Sequence, residues 1–456
     1  MPQKTFYIEN LGCAKNQVDG EALAAVLEDS GWLPVREAGD ASFVIVNTCG
    51  FIDAAKRQSI DTLLGFRRLY PGKKILAAGC LAERYGNELF ASLPEADGVF
   101  GNRDLGRIAR FAESLVFSRK KNNRALLLPK LHGSLPPRKK VFSLPGAVYI
   151  KAAEGCDNRC AFCAIPLIRG GLRSRPAREV AAEIKTFVGR GVGEFNIVAQ
   201  DLGAYGRDLR GGQGLPALLR GILALPGDYR LRLLYIHPEH FPAEVLDICG
   251  EDKRLLPYFD LPFQHASSAI LNAMGRKAGM EENLRLIENI RARSADAVIR
   301  STFLLGFPGE TEKDFQALLD FQRRAAFDWL GCFTYSPEDG TPAQALHRKK
   351  ALRVPKKTAL ARKSLVEEAQ VPITEKRLGR FIGRRVDLLV EERVEGENLV
   401  LARAWFQAPE VDGLTVLHAK EGCPPPAPGS RVSGKIIRRN NFDMEAVCWP
   451  GEEGNH

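Results

Sequence analysis

Cys156, Cys160 and Cys163 are separated by three and two residues and stand directly behind a strand candidate, Ala147–Lys151. Four thiolates normally hold a [4Fe–4S] cluster. Three this close can hold three irons and leave the fourth open to a small molecule, as open positions do in catalytic metal sites. The placement constrains the fold, because (β/α) barrels assemble their active sites at the C-terminal ends of strands. The alternatives are a structural zinc site or incidental cysteines. A zinc knuckle needs a fourth Cys or His nearby, and the next downstream histidine is His237.

From Ala147 onward six strand candidates recur: Ala147–Lys151, Glu194–Ala199, Arg230–Ile236, Tyr258–Pro262, Ala297–Leu305 and Trp329–Tyr335. Helical patterns, including Arg178–Val188 and Glu281–Arg293, separate most of them. Six such units predict an open, partial (β/α)6 barrel rather than a closed eight-stranded one. Polar groups stand at the expected strand ends: Gln200 and Asp201, Gln264 and His265, and Gly306 to Thr311 with Glu310 among them. Ordinary loop polarity is the alternative for each.

The first part of the chain also alternates. Thr5–Asn10, Phe43–Val46 and Ile75–Ala78 read as strands, with helical patterns over Val18–Ser30 and Ala54–Leu69. This order predicts a doubly wound α/β sheet. Cys13, Cys49 and Cys80 each follow one of the three strands, beside Gly12, Gly50 and Gly79. In open α/β sheets the C-terminal strand ends line one ligand crevice, so three cysteines there can converge on one cluster. Cysteine also packs well in cores, and pattern alone leaves both readings open. Cys249, Cys332, Cys423 and Cys448 are isolated and read as packing or surface residues. Ten cysteines in 456 residues are too sparse for a disulfide scaffold.

Between these parts, Ser118 to Lys140 holds eight Lys or Arg and no acid, within a formal net charge of +10. Broken by Pro129, Gly133, Pro136 and Pro137, it reads as a linker, either solvated or a docking surface for nucleic acid. A basic helical stretch from about Ala351 to Arg377 leads into a last segment of short strands: Arg385–Val390, Leu399–Ala404, Thr415–Leu417 and Arg431–Ile437. These predict a small OB-like antiparallel β-barrel. The domains are expected at 1–117, 118–145 (the linker), 146–375 and 376–449. Gly429 to Lys435 nearly matches a phosphate-binding loop, but Ile436 replaces the hydroxyl residue and a strand follows, so it reads as a turn. No transmembrane run or signal peptide is apparent, and a cytoplasmic location with no membrane partner is expected.

Cys156-Asp157-Asn158-Arg159-Cys160-Ala161-Phe162-Cys163 resembles the signature of the radical S-adenosylmethionine (SAM) superfamily. Leu11-Gly12-Cys13-Ala14-Lys15-Asn16, Asn47-Thr48-Cys49-Gly50-Phe51 and Gly79-Cys80-Leu81 resemble the three cluster motifs of the methylthiotransferases, which end in a small β-barrel called TRAM. The resemblance covers nearly the whole chain in the right order. It implies two [4Fe–4S] clusters, with Cys13, Cys49 and Cys80 holding an auxiliary one that carries the sulfur to be transferred. It implies SAM on the open iron of the other, with Phe162 near the adenine and Gln200, Asp201, Gln264, Gly306 and Glu310 among the SAM positions. One SAM would supply a methyl group, and a second would yield the radical that opens a C–H bond.

Within that family, Glu154 to Cys160, Ala164 to Gly171, Tyr335 to Thr341 and Ala408 to Gly413 resemble the branch that modifies an aspartate β-carbon of small-subunit ribosomal protein twelve. Leu172 and Ser268 depart from its pattern, where His and Asp are expected. Lys376 to Trp449 holds twelve Lys or Arg against ten Asp or Glu, with acids at Glu391, Glu392, Glu395 and Glu397. An acidic edge suits a basic protein or ribosomal subunit, and a solvated hairpin is the alternative. The other branch modifies adenosine in tRNA, and a non-enzymatic iron–sulfur scaffold or electron carrier is a third reading. A flavodoxin or ferredoxin is the expected electron donor, and the sequence names no sulfur donor. If each trio holds one cluster, replacing Cys13, Cys49 and Cys80 by Ala leaves about four irons per chain after anaerobic reconstitution, with SAM cleavage retained. Iron content near eight in that triple variant would refute the assignment.

Overall fold

The computed structural model describes residues 4–118, 123–420 and 424–448. Cys423 and Trp449 lie outside these ranges. The first sheet is wholly parallel and contains β1 (Thr5–Asn10), β2 (Leu33–Pro34), β3 (Phe43–Thr48), β4 (Lys74–Gly79), β5 (Gly98–Phe100) and β6 (Ala125–Leu127). Its order is β2-β1-β3-β4-β5-β6. All six side chains of β3 are buried, as a central strand covered on both faces requires. The chain reverses direction across the sheet between β1 and β3, and ligands bind at such a switch point. β2, β5 and β6 have two or three residues each, too few for a periodicity to register.

The second sheet is built from β7 (Ala147–Lys151), β10 (Glu194–Val198), β11 (Arg230–Leu233), β12 (Leu255–Asp260), β13 (Val298–Leu305) and β14 (Trp329–Thr334). They pair in parallel and in chain order, leaving β7 and β14 as edges, which is the open six-stranded barrel that the sequence predicts. A short antiparallel pair, β8 (Ala153–Glu154) with β9 (Arg173–Ser174), stands between β7 and the cysteine triplet. The triplet therefore follows β8 rather than β7. Its loop closes where Ala153 pairs with Ser174 and Glu154 with Arg173.

The last sheet closes into a barrel of β15 (Arg385–Arg393), β16 (Leu399–Ala404), β17 (Thr415–His418), β18 (Arg431–Asn440) and β19 (Asp443–Cys448). Four of its pairings are antiparallel, and β17 with β19 is parallel. β19 is absent from the sequence reading. Pro428 and Gly429 form the turn before β18, so the near-match to a phosphate loop is a strand entry. The barrel packs against the strand-start end of the second sheet. Arg403 pairs with Glu194 at 2.8 Å, Arg232 donates to the Trp405 carbonyl at 2.7 Å, and the Trp329 indole donates to the Phe406 carbonyl at 2.8 Å.

Helix Ala14–Asp29 begins four residues before the sequence pattern indicates, with Cys13 as its N-cap residue. Lys15, Asn16, Gln17, Asp19 and Glu21 look solvent-facing in sequence yet are all buried. Ala14 and Val18 pack with Tyr149, Val198 and Leu234 inside the second sheet, so the helix is covered on both sides. Its acids meet cations from the rest of the chain: Asp19 pairs with Lys151 and Arg169, and Glu21 with Arg138.

Part of the basic segment is tied to its neighbours, while residues 130–134, Lys139 and Lys140 remain exposed. Ala125–Leu127 completes the first sheet, and Lys139 and Lys140 pair with Asp29 and Glu28. Arg138 is buried between Glu21 and Glu183 and donates to the Tyr149 carbonyl at 2.8 Å. Residues 119–122, which carry three of the cations, lie outside the described ranges. Among the described residues no helix is long and apolar enough to cross a membrane. Removing one partner of a buried ion pair strands the other charge. Arg138→Ala is therefore expected to lower unfolding free energy by about 3–5 kcal/mol in denaturant titration. A change below about 1 kcal/mol, ordinary for a surface pair, contradicts this account of the seam.

Candidate functional site

Cys13, Cys49 and Cys80 stand at the C-terminal ends of β1, β3 and β4. Two glycines draw their loops together. Gly12 has φ +94°, and a Cβ on it would lie 3.0 Å from the Cys49 Cβ. A Cβ on Gly50 would lie 2.7 Å from the Leu81 backbone, so the Cys49 turn rests directly on the start of the Cys80 helix. Asn16 braces both turns: its side-chain amide donates to the carbonyls of Leu11 at 2.5 Å and Asn47 at 3.2 Å. Cys13 keeps exposed surface yet lies in a densely walled cleft, Cys49 is half-buried, and Cys80 is buried.

Their thiols differ. Burial pushes Cys80 up to about 12, although Arg169 pulls the other way, and burial also raises Cys49. Burial works against Cys13 as well, but Lys15, Arg169 and backbone N–H groups of the helix start outweigh it and leave its thiol below the ordinary value. Cys13 is thus the trio's readiest thiolate, the form that ligates metal.

Cys156, Cys160 and Cys163 are half-buried in the loop that β8 and β9 close. The Cys156 N–H donates to the Gly170 carbonyl at 3.1 Å, and the Ala161 N–H to the Met274 carbonyl at 2.8 Å. Gly155, at φ +72°, has no room for a Cβ, which would lie 2.0 Å from the Gly171 oxygen. The Asn158 and Ile165 N–H groups point at the Cys156 and Cys163 sulfurs, at 3.4 and 3.5 Å. Burial pushes Cys156 up to about 11 and Cys163 to about 12, against those N–H groups. Ligation must therefore displace protons.

Among the described residues, no three His, Cys, Asp or Glu side chains converge closely enough for one ion, as zinc requires. A four-iron cluster makes no such demand, since each thiolate takes its own iron. N–H donors aimed at sulfur and glycine-closed turns fit that group in both trios.

The two trios meet. Helix Ile165–Arg169 starts two residues after Cys163 and packs Ala164 and Ile168 on Cys80. Arg169 then donates to the Cys80 sulfur at 3.1 Å and pairs with Asp19 and Glu154, each at 2.8 Å. Lys151 joins the same two acids. Burial opposes the Glu154 charge, but Arg169 and Lys151 outweigh it and hold its carboxyl well below the usual range. Across the mouth, Glu338 from the loop after β14 takes Arg84 at 2.6 Å and Lys56 at 2.9 Å.

The other sequence candidates divide. Phe162 packs beside Ile270, Met274 and Phe307. Gln200 donates to Glu154 at 3.1 Å and leaves its buried Oε1 without a partner, a free acceptor at the site. Asp201 is occupied: it accepts from Asn158, Gly203 and His237 and contacts His240. Glu310 accepts from the Gly306 and Phe307 N–H groups and pairs with Arg362 at 2.7 Å. It shapes the Gly306 turn (φ +75°), and both of its oxygens are engaged. Gln264 sits at φ +70° with both backbone groups bonded to the next strand. Asn16, Glu154 and Arg169 stand in the sequence motifs without an assigned role, and Asp19 and Lys151 stand outside them, because no local pattern signals a contact with a sulfur 89 residues away. Glu391 is taken by Arg403 at 2.8 Å, so the acidic edge reduces to the exposed Glu392, Glu395 and Glu397.

Residues 5–101 match a model described as an uncharacterized protein family, UPF0004, residues 150–321 the radical SAM superfamily, and residues 382–448 the TRAM domain. The ribosomal protein uS12 methylthiotransferase RimO of Treponema denticola is 44% identical over 96% of this chain and 99% of its own length. RimO of Carboxydothermus hydrogenoformans is 39% identical over 91% and 93%. The radical SAM methyltransferase TsrM from Kitasatospora setae shares the fold, with a TM-score of 0.54 at 16% identity over 75% of this chain and 77% of its own. Because a Cβ at Gly50 collides with backbone, Gly50→Ala is expected to displace the Cys49 turn. If each trio holds one cluster, reconstituted iron should fall from about eight toward about four, with SAM cleavage retained. Full iron loading in the variant rules out the close approach.

Proposed function

The chain belongs to the radical SAM methylthiotransferase family, and from that premise we propose that it inserts a methylthio group at the β-carbon of an aspartate in small-subunit ribosomal protein twelve, using two [4Fe–4S] clusters and two SAM per turnover. It is a transferase, and its relatives' names support the ribosomal protein as substrate. The observation that carries the finer reading is the joining of the two cysteine trios through helix Ile165–Arg169 and the Arg169–Cys80 contact. Sulfur at one trio and hydrogen abstraction at the other can then act on one carbon.

Cys156, Cys160 and Cys163 would hold one cluster and Cys13, Cys49 and Cys80 the other. Bound there, these groups and SAM supply the cleavage of an unactivated C–H bond and the sulfur transfer that acid–base side chains cannot perform. The chain's own residues orient and enclose. Asn158 and Ile165 N–H groups fix two sulfurs. Gln200 offers its unpartnered oxygen to an amino group, and Phe162 offers an apolar face to an adenine. Asp201, Gln264, Gly306 and Glu310 hold the strand-end loops in shape. Ala14 and Val18 pack from the first sheet's side onto the apolar interior of the second sheet. Glu392, Glu395 and Glu397 leave an acidic edge for a basic protein, which favours ribosomal protein over tRNA. A one-electron donor such as a flavodoxin or ferredoxin is required.

Reconstituted enzyme with SAM and reductant, offered ribosomal protein twelve and tRNA in parallel, should place the methylthio mass on one aspartate of the protein and leave tRNA unmodified. Mass spectrometry of both products decides. Modified adenosine with untouched protein overturns the substrate reading.

A further inference from the structure

Lys15 is a buried cation without an acidic partner. It follows Cys13 by two residues and is 9% exposed. Its ammonium nitrogen sits 3.4 Å from the centroid of the Tyr235 ring. Among the described residues, no carboxylate oxygen lies within ion-pair distance of that nitrogen, and no acceptor takes a hydrogen bond from it. The Cys13 thiol is the anionic group that acts on it most, ahead of Asp260 and Glu154, and the two carboxylates are engaged elsewhere. Asp260 pairs with Arg300 at 3.2 Å and accepts the Tyr235 N–H at 3.2 Å. Glu154 is shared by Lys151 and Arg169. The buried cations nearby are treated differently: Lys151, Arg169 and Arg138 each meet two carboxylates.

The place matters as much as the charge. Tyr235 lies past the end of β11, held at φ +63° with its carbonyl accepting from the Leu202 N–H at 2.9 Å. Asp201, next to Leu202, is bonded to Asn158 in the triplet loop at 2.8 Å. Lys15 therefore reaches from the first sheet's cysteine crevice onto the strand ends that carry the other trio. An ammonium has three donors. Stacking on an aromatic face satisfies charge in part and leaves N–H donors that face the cleft, where an anion can take them.

We propose that Lys15 binds the side-chain carboxylate of the substrate aspartate, and so selects aspartate over its amide analogue and fixes the adjoining carbon between the two cysteine trios. The inference rests on the substrate reading above. The carboxylate is the anionic group that such a substrate brings, and the carbon to be modified is bonded to it. Holding one fixes the other, the kind of orientation that lowers a barrier without new chemistry. The rival role is neutralisation of the Cys13, Cys49 and Cys80 thiolates. Lys15 does draw the Cys13 thiol down, while Arg169 serves Cys80, and a lysine that only neutralised thiolates would be indifferent to the substrate's side chain.

The test uses anaerobically reconstituted enzyme and two peptides of ribosomal protein twelve, with Asp or Asn at the modified position, measured by equilibrium binding. The parent should bind the Asp peptide at least about tenfold tighter, because the amide keeps an acceptor oxygen but loses the charge that strengthens the bond to an ammonium. Lys15→Met should bring the ratio near one, and Lys15→Arg should keep much of it. If Lys15→Met retains the preference, or only shifts the auxiliary cluster's electron paramagnetic resonance signal, the inference falls and the substrate reading stands. Should Lys15→Met fail to load its clusters, the parent's own Asp-to-Asn ratio and Lys15→Arg decide. A ratio near one in the parent overturns the inference. A parent that binds neither peptide and modifies tRNA overturns the substrate reading, and this inference with it.

Discussion

The buried ion network of Asp19, Lys151, Glu154 and Arg169 is the contact on which the site depends. Taking four charged groups out of water is expensive, and mutual attraction repays that cost only when the geometry is close. Such networks add less to stability than to uniqueness of arrangement, since a slip in register leaves a charge unpaired. Here the register matters chemically. Asp19 lies on the helix that Cys13 starts, Lys151 and Glu154 flank the approach to the triplet loop, and Arg169 ends the helix behind it. Arg169 then touches the Cys80 sulfur, so a single guanidinium ties one trio to the strand end of the other.

The rest of the molecule holds that seam from several sides. Glu338 clasps Arg84 and Lys56 across the barrel mouth. Arg138 anchors the connecting segment between Glu21 and Glu183 and binds the β7 backbone. The C-terminal barrel seals the opposite end of the strands with Trp405 and Phe406, where Phe381 stacks on Phe406 at 4.0 Å. The open six-stranded sheet is thus covered at both ends by parts of the chain remote in sequence. An enclosed, low-dielectric mouth strengthens every electrostatic contact inside it, which is also why a cation without an acid, such as Lys15, is costly there and carries information about what binds.

Much of this was legible in the amino-acid order. The six strands of the partial barrel and three strands of the first sheet are long enough to impose apolar runs, and each cysteine trio falls at strand ends because the motif and the strand are neighbours in sequence. The TRAM-like barrel was legible except for its last strand and its one parallel pairing. Short strands such as Gly98–Phe100 and Ala125–Leu127 are too brief to impose a period. The apolar spacing of Leu23, Val26 and Leu27 starts the first helix at Val18 in sequence and leaves the polar Lys15, Asn16 and Gln17 outside it. They are buried only because the rest of the chain brings partners to them.

The sequence by itself determined where the six candidate ligand cysteines fall, since spacing, adjacent glycine and strand position are local properties. Tertiary structure decided what each polar group is free to do. Asp201 and Glu310 stand where ligand contacts are expected, but neighbouring N–H groups and Arg362 occupy their oxygens. Gln200 alongside them keeps an acceptor open. Glu391 reads as a surface acid and is consumed by Arg403. A side chain's availability is a count of its partners, and those partners arrive from tens to hundreds of residues away, so no local pattern records them.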